Sequence, residues 1–312
     1  MWDELNRKAL DLFRAGKYPE AYEVGKSALD AVEQGFGPDD PRVATTLNNN
    51  AECLRAMARV HEAEPLLKRA LDIRKKALGT DHPDVALSMN NLAGIYFELG
   101  RLNEAERLMA TALSLLEKAL GREHRNVAAT LGNLAAVNRA MGKYPAAKFN
   151  YDKALAILEK ELGPEDPEVG SALSDLAGLY YSQERYGDAE PLYRRALDVA
   201  RKNFGEDHPH TASTLGNLAA VLVGRERYDE AESLLLEALA VMDKGMGADS
   251  YESSVCCENL AEFYTGMGNQ EKAEYYADRA RRFQEKLRAR YAEETGRRPS
   301  SRCGNDLPRT GE

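Results

Sequence analysis

Apolar residues along the chain fall into stripes with helical spacing, and the stripes alternate between a shorter and a longer kind. In residues 83–120 the shorter stripe consists of Val85, Met89, Leu92, Ala93 and Tyr96. The longer stripe follows Gly100 and consists of Leu102, Ala105, Leu108, Met109, Ala112, Leu113 and Leu116. Spacings of three and four residues put each set on one face of an α-helix, whereas strands would require alternation at every second residue. The pattern predicts two helices joined by a turn at Gly100.

The same pattern returns every 42 residues along the chain. Glycine occupies one column, at residues 37, 79, 121, 163, 205 and 247. Alanine fills three columns of seven members each, which start at Ala9, Ala21 and Ala28. A fixed period of this length is typical of repeat proteins, in which each repeat is one supersecondary unit. We therefore expect seven helix pairs, with turns near residues 16, 58, 100, 142, 184, 226 and 268.

The residues in these columns have physical roles in such a repeat. Alanine lets two crossing helices approach closely, so we expect Ala93, Ala135 and Ala177 to be buried. Glycine can adopt positive φ and therefore ends the second helix of a pair. Proline opens several of the first helices, because the N–H that it lacks has no partner at that position. These prolines are Pro41, Pro83, Pro167 and Pro209.

The order of residues within one repeat resembles a known family. Residues 89–96 and 105–112 follow the tetratricopeptide signature of large–Leu–small–Tyr and then Ala–large–Ala. Residues 78–86, with the sequence LGTDHPDVA, and residues 90–93, with the sequence NNLA, resemble the kinesin light chain type of this repeat. The resemblance implies an all-α, right-handed α-solenoid of seven tetratricopeptide helix-turn-helix repeats. It also implies that the first helices line a concave face and the longer second helices a convex face.

The resemblance extends over about residues 1–290, which we take as the repeat array. Helix 270–290 is rich in arginine, so we expect it to be a solvating cap for the last repeat. Residues 296–312 are mostly Arg, Pro, Ser and Gly, and we expect a disordered tail there. Residues 307–311, LPRTG, match the sortase recognition pattern, but an apolar span and a basic tail do not follow them, so we favour a chance match or an engineered tag.

Charge and hydropathy narrow the classes of partner. The net charge is −9, and residues 279–312 contain ten basic and five acidic residues, so residues 1–278 carry −14. An acidic body opposes binding to nucleic acid phosphates. The sequence contains neither a run of 18 apolar residues nor an apolar signal core at its start, so we expect no membrane segment. With four cysteines and no paired Cys-x-x-Cys spacing, the default setting is the reducing cytoplasm.

Candidate catalytic and metal-binding motifs have simpler explanations. Gly25-Lys26-Ser27 resembles the end of a phosphate-binding loop, but the earlier glycine is missing and the segment lies within a predicted helix. His208 and His210 have no third ligand at a suitable spacing, so a loop or helix-cap role is favoured. We therefore expect no enzyme activity, no cofactor, no metal and no small-molecule substrate.

One polar column indicates a function. Asn49, Asn91, Asn133, Asn217 and Asn259 share a position on the first helix, where Arg7 and Asp175 stand in the other two repeats. Two interpretations remain open: each amide caps a neighbouring helix end, or the column contacts a ligand. Similar asparagines bind peptide backbone in kinesin-light-chain-like repeats. The predicted peptide-binding residues are Asn48, Asn49, Arg55, Asn90, Asn91, Asn133, Arg139, Asn217 and Asn259.

The predicted function is a non-enzymatic scaffold that binds an extended peptide or partner segment in its concave groove. Arginines in the first half of the groove, Arg7, Arg55 and Arg139, favour acidic ligand residues there. Acidic residues in the second half, Asp175, Glu258 and Glu262, favour basic or neutral ones. The alternative function is a self-assembling structural array without a peptide ligand.

Overall fold

A computed structural model describes residues 1–248 and 250–295 of the protein, with side chains to residue 286. Within these residues the chain forms 14 helices and no strands. The first seven are α1 (Trp2–Arg14), α2 (Tyr18–Phe36), α3 (Pro41–Ala56), α4 (Val60–Leu78), α5 (Pro83–Glu98), α6 (Leu102–Leu120) and α7 (Arg125–Ala140). The others are α8 (Tyr144–Leu162), α9 (Pro167–Tyr181), α10 (Tyr186–Phe204), α11 (Pro209–Gly224), α12 (Tyr228–Gly245), α13 (Tyr251–Gly266) and α14 (Gln270–Thr295).

This order confirms the predicted all-α solenoid of seven helix pairs. Short turns reverse the chain within each pair, so the paired helices are antiparallel. The turns lie where the sequence predicted them, and one residue of each has a left-handed backbone. Glycine supplies it in four turns, at residues 16, 100, 142 and 268, whereas Ala58, Glu184 and Glu226 supply it in the others. The final helix α14 continues to Thr295, beyond the predicted end of the array at residue 290.

The connections between pairs also follow the sequence. The column glycines adopt φ between 83° and 94°, and Gly121 combines φ 86° with ψ 159°. That region of backbone space is open essentially to glycine alone, which explains why glycine fills the column in six repeats, whereas α14 continues through Ala289 in the seventh. Three residues later a side chain caps the next first helix: Asp166 Oδ1 accepts from the Glu168 N–H at 2.8 Å. His82, His124 and His208 do the same with Nδ1.

The predicted alanine columns form the contacts between helices. Ala93, Ala135 and Ala177 are fully buried, as expected for positions at which helices cross closely. Twenty of the 21 column alanines are buried, and Ala261 on α13 is the partly exposed exception. Around them pack leucines that are also fully buried, among them Leu47 in the second repeat and Leu215 in the sixth. Within each unit, the core is therefore formed by small and large apolar side chains between successive helices.

The helices belong to two compact units, each described here by itself. Unit 1 contains residues 1–157, and unit 2 begins at Leu158 and includes the described residues that follow. Within both units, ion pairs join the loop of one repeat to the last turn of the second helix of the next repeat. In unit 1 Lys118 Nζ lies 3.0 Å from Asp81 Oδ2, and in unit 2 Lys202 pairs with Glu165. The predicted tail, residues 296–312, lies outside the described residues.

Candidate peptide-binding surface

The first helices present an accessible strip of side chains one helical turn apart. We call the strip in unit 1 the unit-1 face. It consists of Thr45, Asn49 and Glu52 on α3, Leu87, Asn91 and Gly94 on α5, and Ala129, Asn133 and Ala136 on α7. The corresponding unit-2 face consists of Ser171, Asp175 and Gly178 on α9, Ser213, Asn217 and Ala220 on α11, and Val255, Asn259 and Glu262 on α13. All of these residues are exposed or partly exposed, so each face is open within its unit.

The asparagine column lies on these faces, and its members differ in their hydrogen bonds. Asn49 Nδ2 donates to Asn6 Oδ1 on α1 at 3.0 Å. In contrast, the side chains of Asn91 and Asn133 make no hydrogen bond within the described part of unit 1. The same is true of the exposed Asn217 and Asn259 among the described residues of unit 2. Four amides of the column therefore have donors and acceptors to offer a ligand.

Two other predicted site residues, Asn48 and Asn90, form hydrogen bonds with side chains of other helices. Asn48 is buried, and its Oδ1 accepts from Arg74 Nη1 at 2.8 Å and Nη2 at 3.1 Å, with the amide oriented by this network. Asn90 Nδ2 donates to Thr130 Oγ1 on α7 at 2.6 Å, and its Oδ1 is buried without a partner. Asn90 joins successive repeats directly, and Asn48 does so through Arg74, which also donates to Ser88 on α5, so we leave both amides out of the proposed ligand contacts.

Arg55 and Arg139 occupy equivalent positions but have different surroundings. Arg55 Nη2 lies 2.5 Å from Glu98 Oε1 on α5, and Nη1 lies 2.8 Å from Glu52 Oε2. Its charge is therefore already compensated by two carboxylates. Arg139 is partly exposed and makes no ion pair among the described residues. Of these two predicted arginines, only Arg139 has its charge available for an acidic ligand.

Glycines within the first helices fall into two groups. A Cβ added to Gly94 or Gly132 in unit 1, or to Gly216 in unit 2, meets no atom within 4 Å. A Cβ at Gly170 would lie 2.9 Å from Val199 Cγ1, and one at Gly224 would lie 2.6 Å from the Tyr186 ring. The second group is required by packing, whereas the first is not. Glycine weakens a helix, so Gly94, Gly132 and Gly216 lack a reason within the fold itself.

The unit-2 face is acidic and carries an aromatic side chain at one edge. Tyr181 on α9 is 41% exposed and meets Tyr186 edge-on, with ring centroids 5.6 Å apart. Burial raises the pKa of the Tyr181 hydroxyl, and Tyr186 and Glu262 add to the rise. Glu262 lies on α13, so the negative charge that acts on Tyr181 comes from another first helix of the unit. This geometry suits a segment with basic or neutral side chains.

Other chemistry is sparse in the described residues. No group of His, Cys, Asp or Glu there has the arrangement needed to hold a metal ion. Cys256 and Cys257 are buried free thiols, and burial raises the pKa of the Cys256 thiol to about 11, which disfavours the reactive thiolate. None of the described helices is long and apolar enough to cross a membrane.

Comparison with protein families identifies the repeat. A tetratricopeptide repeat model matches residues 42–118, 84–160, 126–202, 168–244 and 210–286. These overlapping matches advance by 42 residues, the period of the sequence columns. The chain therefore belongs to the tetratricopeptide repeat family.

Solved structures give the same result at the level of the fold. A putative kinesin light chain of Podosopora anserina with nearly identical repeats is 25% identical, with 66% of this chain and 97% of that chain covered and a TM-score of 0.55. BtubC (BKLC) from P. vanneervenii is 22% identical, with 83% and 98% covered and a TM-score of 0.58. A Rap protein complexed with Competence and Sporulation Factor is 18% identical, with 92% and 75% covered and a TM-score of 0.68. Comparison with curated protein sequences gives no significant match.

Proposed function

We propose that this protein is a non-enzymatic scaffold whose first-helix faces bind an extended peptide segment of a partner protein. The observation that carries the proposal is the combination of glycines that the fold does not require with amides that have no hydrogen-bond partner. On the unit-1 face Gly94 lies one turn from Asn91, and Ala136 lies one turn from Asn133. Small residues leave room for a peptide backbone, and the neighbouring amides can bind its N–H and C=O groups.

Charge adds specificity to this sequence-independent binding. The unpaired Arg139 favours an acidic residue on the unit-1 face, while Glu262 and the other carboxylates favour basic or neutral residues on the unit-2 face. Because these charges are accessible to solvent, binding should weaken as salt concentration rises. An unstructured peptide loses conformational entropy on ordering, which limits the affinity to about the micromolar range.

A protein of the same fold binds a ligand, which supports the proposal by analogy. The Rap protein structure is a complex with Competence and Sporulation Factor. We propose that it acts without a cofactor, a nucleic acid or a small-molecule substrate, in a cytoplasmic setting in which the buried thiols remain reduced.

The end faces of the array argue against self-assembly. On α1, Glu4, Lys8 and Asp11 are exposed at positions that are buried on other first helices, for example at Thr46, Asn50 and Cys53 on α3. On α14, Arg281 is exposed where Leu71 and Leu239 are buried. End-to-end stacking of copies would bury these charges without partners, which is unfavourable. A peptide-binding scaffold therefore fits these faces better than an open-ended assembly.

The test begins with peptides that bind the intact protein, selected from a random library displayed on phage. Calorimetry then compares the parent with a variant that combines Asn91→Ala, Asn133→Ala and Asn217→Ala. We expect at least a tenfold loss of affinity for the selected peptides, since each lost amide contact contributes about 0.5–1.5 kcal/mol. Asn103→Ala is the matched control, because Asn103 is an exposed asparagine on the second helix α6. A folded triple variant that binds as well as the parent would show that the column is structural.

A further inference from the structure

Arg74 is a charged side chain at a position where five of the other six repeats have apolar ones. It lies on α4, and the equivalent residues on the other described second helices are Val32, Leu116, Leu158, Ala200, Met242 and Gln284. The side chain is partly buried between α3 and α5. An apolar side chain therefore satisfies the packing of the repeat at this position, and the guanidinium of Arg74 is an exception.

The hydrogen bonds of Arg74 are all to neutral groups. Nη1 donates to Ser88 Oγ on α5 at 2.5 Å, and Asn48 Oδ1 on α3 accepts from Nη1 and Nη2. Burial lowers the pKa of Arg74, and the charge of Asp84 offsets this only in part. Asp84 is exposed and forms no ion pair with Arg74. The guanidinium is thus partly desolvated without a carboxylate beside it, which is unfavourable unless another group supplies the negative charge.

Other arginines of the protein indicate how unusual this arrangement is. In the described residues, every partly buried arginine except Arg74 and Arg139 pairs with a carboxylate, as Arg101 does with Glu64 and Glu104. The next repeat lacks an arginine because Leu116 takes its place. There the equivalent amide, Asn90, keeps a buried Oδ1 without a partner. A role in satisfying Asn48 explains the hydrogen bonds of Arg74, but a neutral donor would satisfy Asn48 equally well.

The unused donors of Arg74 have the geometry of a carboxylate site. Guanidinium has five N–H groups, and the contacts to Ser88 and Asn48 use both on Nη1 and one on Nη2. The N–H of Nε and the second N–H of Nη2 remain. These two lie side by side on one edge of the planar group, which is the edge that binds a carboxylate through two parallel hydrogen bonds.

We propose that Arg74 is the anchor of a carboxylate-binding site between α3 and α5, which takes an acidic group of the bound segment through Nε and Nη2. The site deepens the proposed function and rests on it for the identity of the ligand, but carboxylate binding to Arg74 can be measured without any peptide. The carboxylate comes from an acidic side chain or from a chain terminus, because the two share the same chemistry.

The first experiment uses a small probe. Titration of the full chain with N-acetylglutamate methylamide is followed through the Nε–Hε signal of Arg74 by NMR, with the signal assigned from Arg74→Lys. We expect a saturable shift of this signal, and no shift with the neutral N-acetylglutamine methylamide. Arg107 is the control residue, since it is exposed and unpaired in the described structure, so that general charge screening would affect both signals. An Arg74 signal that does not respond, or responds only as Arg107 does, overturns the site.

The second experiment connects the site to the peptide. For a selected peptide that contains glutamate, replacement of the acidic residue by glutamine, or amidation of its terminus, identifies the source of the carboxylate. The change that removes the bound carboxylate should weaken the affinity of the peptide for the parent protein about tenfold. The same change should leave the affinity for the Arg74→Gln variant unaltered. Arg74→Lys keeps the positive charge but loses the two parallel N–H donors. It should therefore retain only part of the affinity difference between the acidic peptide and its neutral counterpart. If Arg74 responds to the probe while no peptide binds, the site stands and the proposed function fails; equal loss for parent and Arg74→Gln would overturn the site.

Discussion

Arg201 on α10 and Glu237 on α12 form an ion pair, with Nη2 and Oε1 2.7 Å apart, that reverses the charges of the pair one repeat earlier. In that repeat Glu159 precedes Arg195, and the Nη1–Oε1 distance is 2.6 Å. Glu159 and Arg201 are 42 residues apart, as are Arg195 and Glu237, so both pairs occupy the same repeat positions. Neighbouring second helices therefore meet in the same register whichever helix carries the positive charge. Complementarity of the two charges, rather than the sign at either position, is what the interface between repeats retains.

The reversed pair predicts a double-mutant result. Glu237→Arg places two arginines together, and we expect it to lower the free energy of unfolding by about 0.5–1 kcal/mol, a modest amount because both side chains are about one-third exposed. Adding Arg201→Glu should restore part of this loss. The recovery is incomplete because Arg201 also contacts Glu206 at 2.8 Å. Thermal and urea unfolding measure the coupling, and purely additive effects would contradict it.

The turns within helix pairs give a prediction on backbone conformation. Ala58 and Glu226 have φ of 58° and 60°, where four other turns have glycine. A left-handed backbone costs a non-glycine residue about 1–2 kcal/mol, and glycine avoids this cost. Glycine also increases the conformational entropy of the unfolded chain, which cancels part of the gain in stability. We therefore expect Ala58→Gly and Glu226→Gly each to stabilise by about 0.5–1 kcal/mol in thermal unfolding. The reverse change, Gly100→Ala, should destabilise by a similar amount, and a stabilising effect there would refute the explanation.

Glu190 predicts a stability that depends on pH. This carboxylate is buried on α10 with Arg194 and Arg227 each 2.7 Å from Oε1. Burial alone would raise the pKa of Glu190, but the hydrogen bonds and charges of the two arginines outweigh it, and the net pKa is lowered. A lowered pKa in the folded state means that the stabilisation is present above the unfolded value of about 4.3 and is lost as pH falls through the folded value.

The measurement for Glu190 is urea unfolding of the parent and Glu190→Gln across pH. Near neutral pH the variant should be less stable by about 1 kcal/mol, because the neutral amide loses the ion pairs with Arg194 and Arg227, whose side chains are more than one-third exposed. The difference should shrink as the pH falls below about 4. Glu20→Gln, at an exposed position outside the described ion pairs, should change stability little at any pH. A difference between parent and Glu190→Gln that stays constant with pH would contradict the ion-pair account.

Most of the fold follows from the sequence because the repeat makes each position visible seven times. The Gly121 column marks a backbone conformation that only glycine adopts, and the Ala135 column marks helix crossings, so both can be read without a structure. His124 stands in the same column as His82 and His208, and the helix start at Arg125 shows its role as a cap.

The candidate site was less predictable, because its residues are distinguished by their neighbours. Asn48 and Asn49 are adjacent in sequence, but one is buried against Arg74 and the other faces α1. Arg55 and Arg139 occupy equivalent positions, and only the carboxylates of Glu52 and Glu98 separate a neutralised arginine from an available one. Pairing between side chains of different helices depends on rotamers, which periodicity does not determine. The one sequence signal for Arg74 was its charge in a column that is otherwise uncharged and mostly apolar.

The most direct test of the account is to separate helix stability from binding at the open glycines. Gly94→Ala places a methyl group in open space on the unit-1 face, and Gly132→Ala does so at the residue next to Asn133 of that face, so each should stabilise the fold by about 0.5–1 kcal/mol. Gly35→Ala is the matched control, since Gly35 lies on the second helix α2 and is equally open. It should stabilise the fold, although less near the helix end, and leave binding unchanged.

The decisive measurement is the calorimetric affinity of the Gly94→Ala, Gly132→Ala double variant for a selected peptide, beside its melting temperature. The account predicts a higher melting temperature together with an affinity at least about tenfold weaker, because the added methyl groups exclude the peptide backbone. A double variant that is more stable and binds as tightly as the Gly35→Ala control would contradict the claim that the unit-1 face is the binding surface.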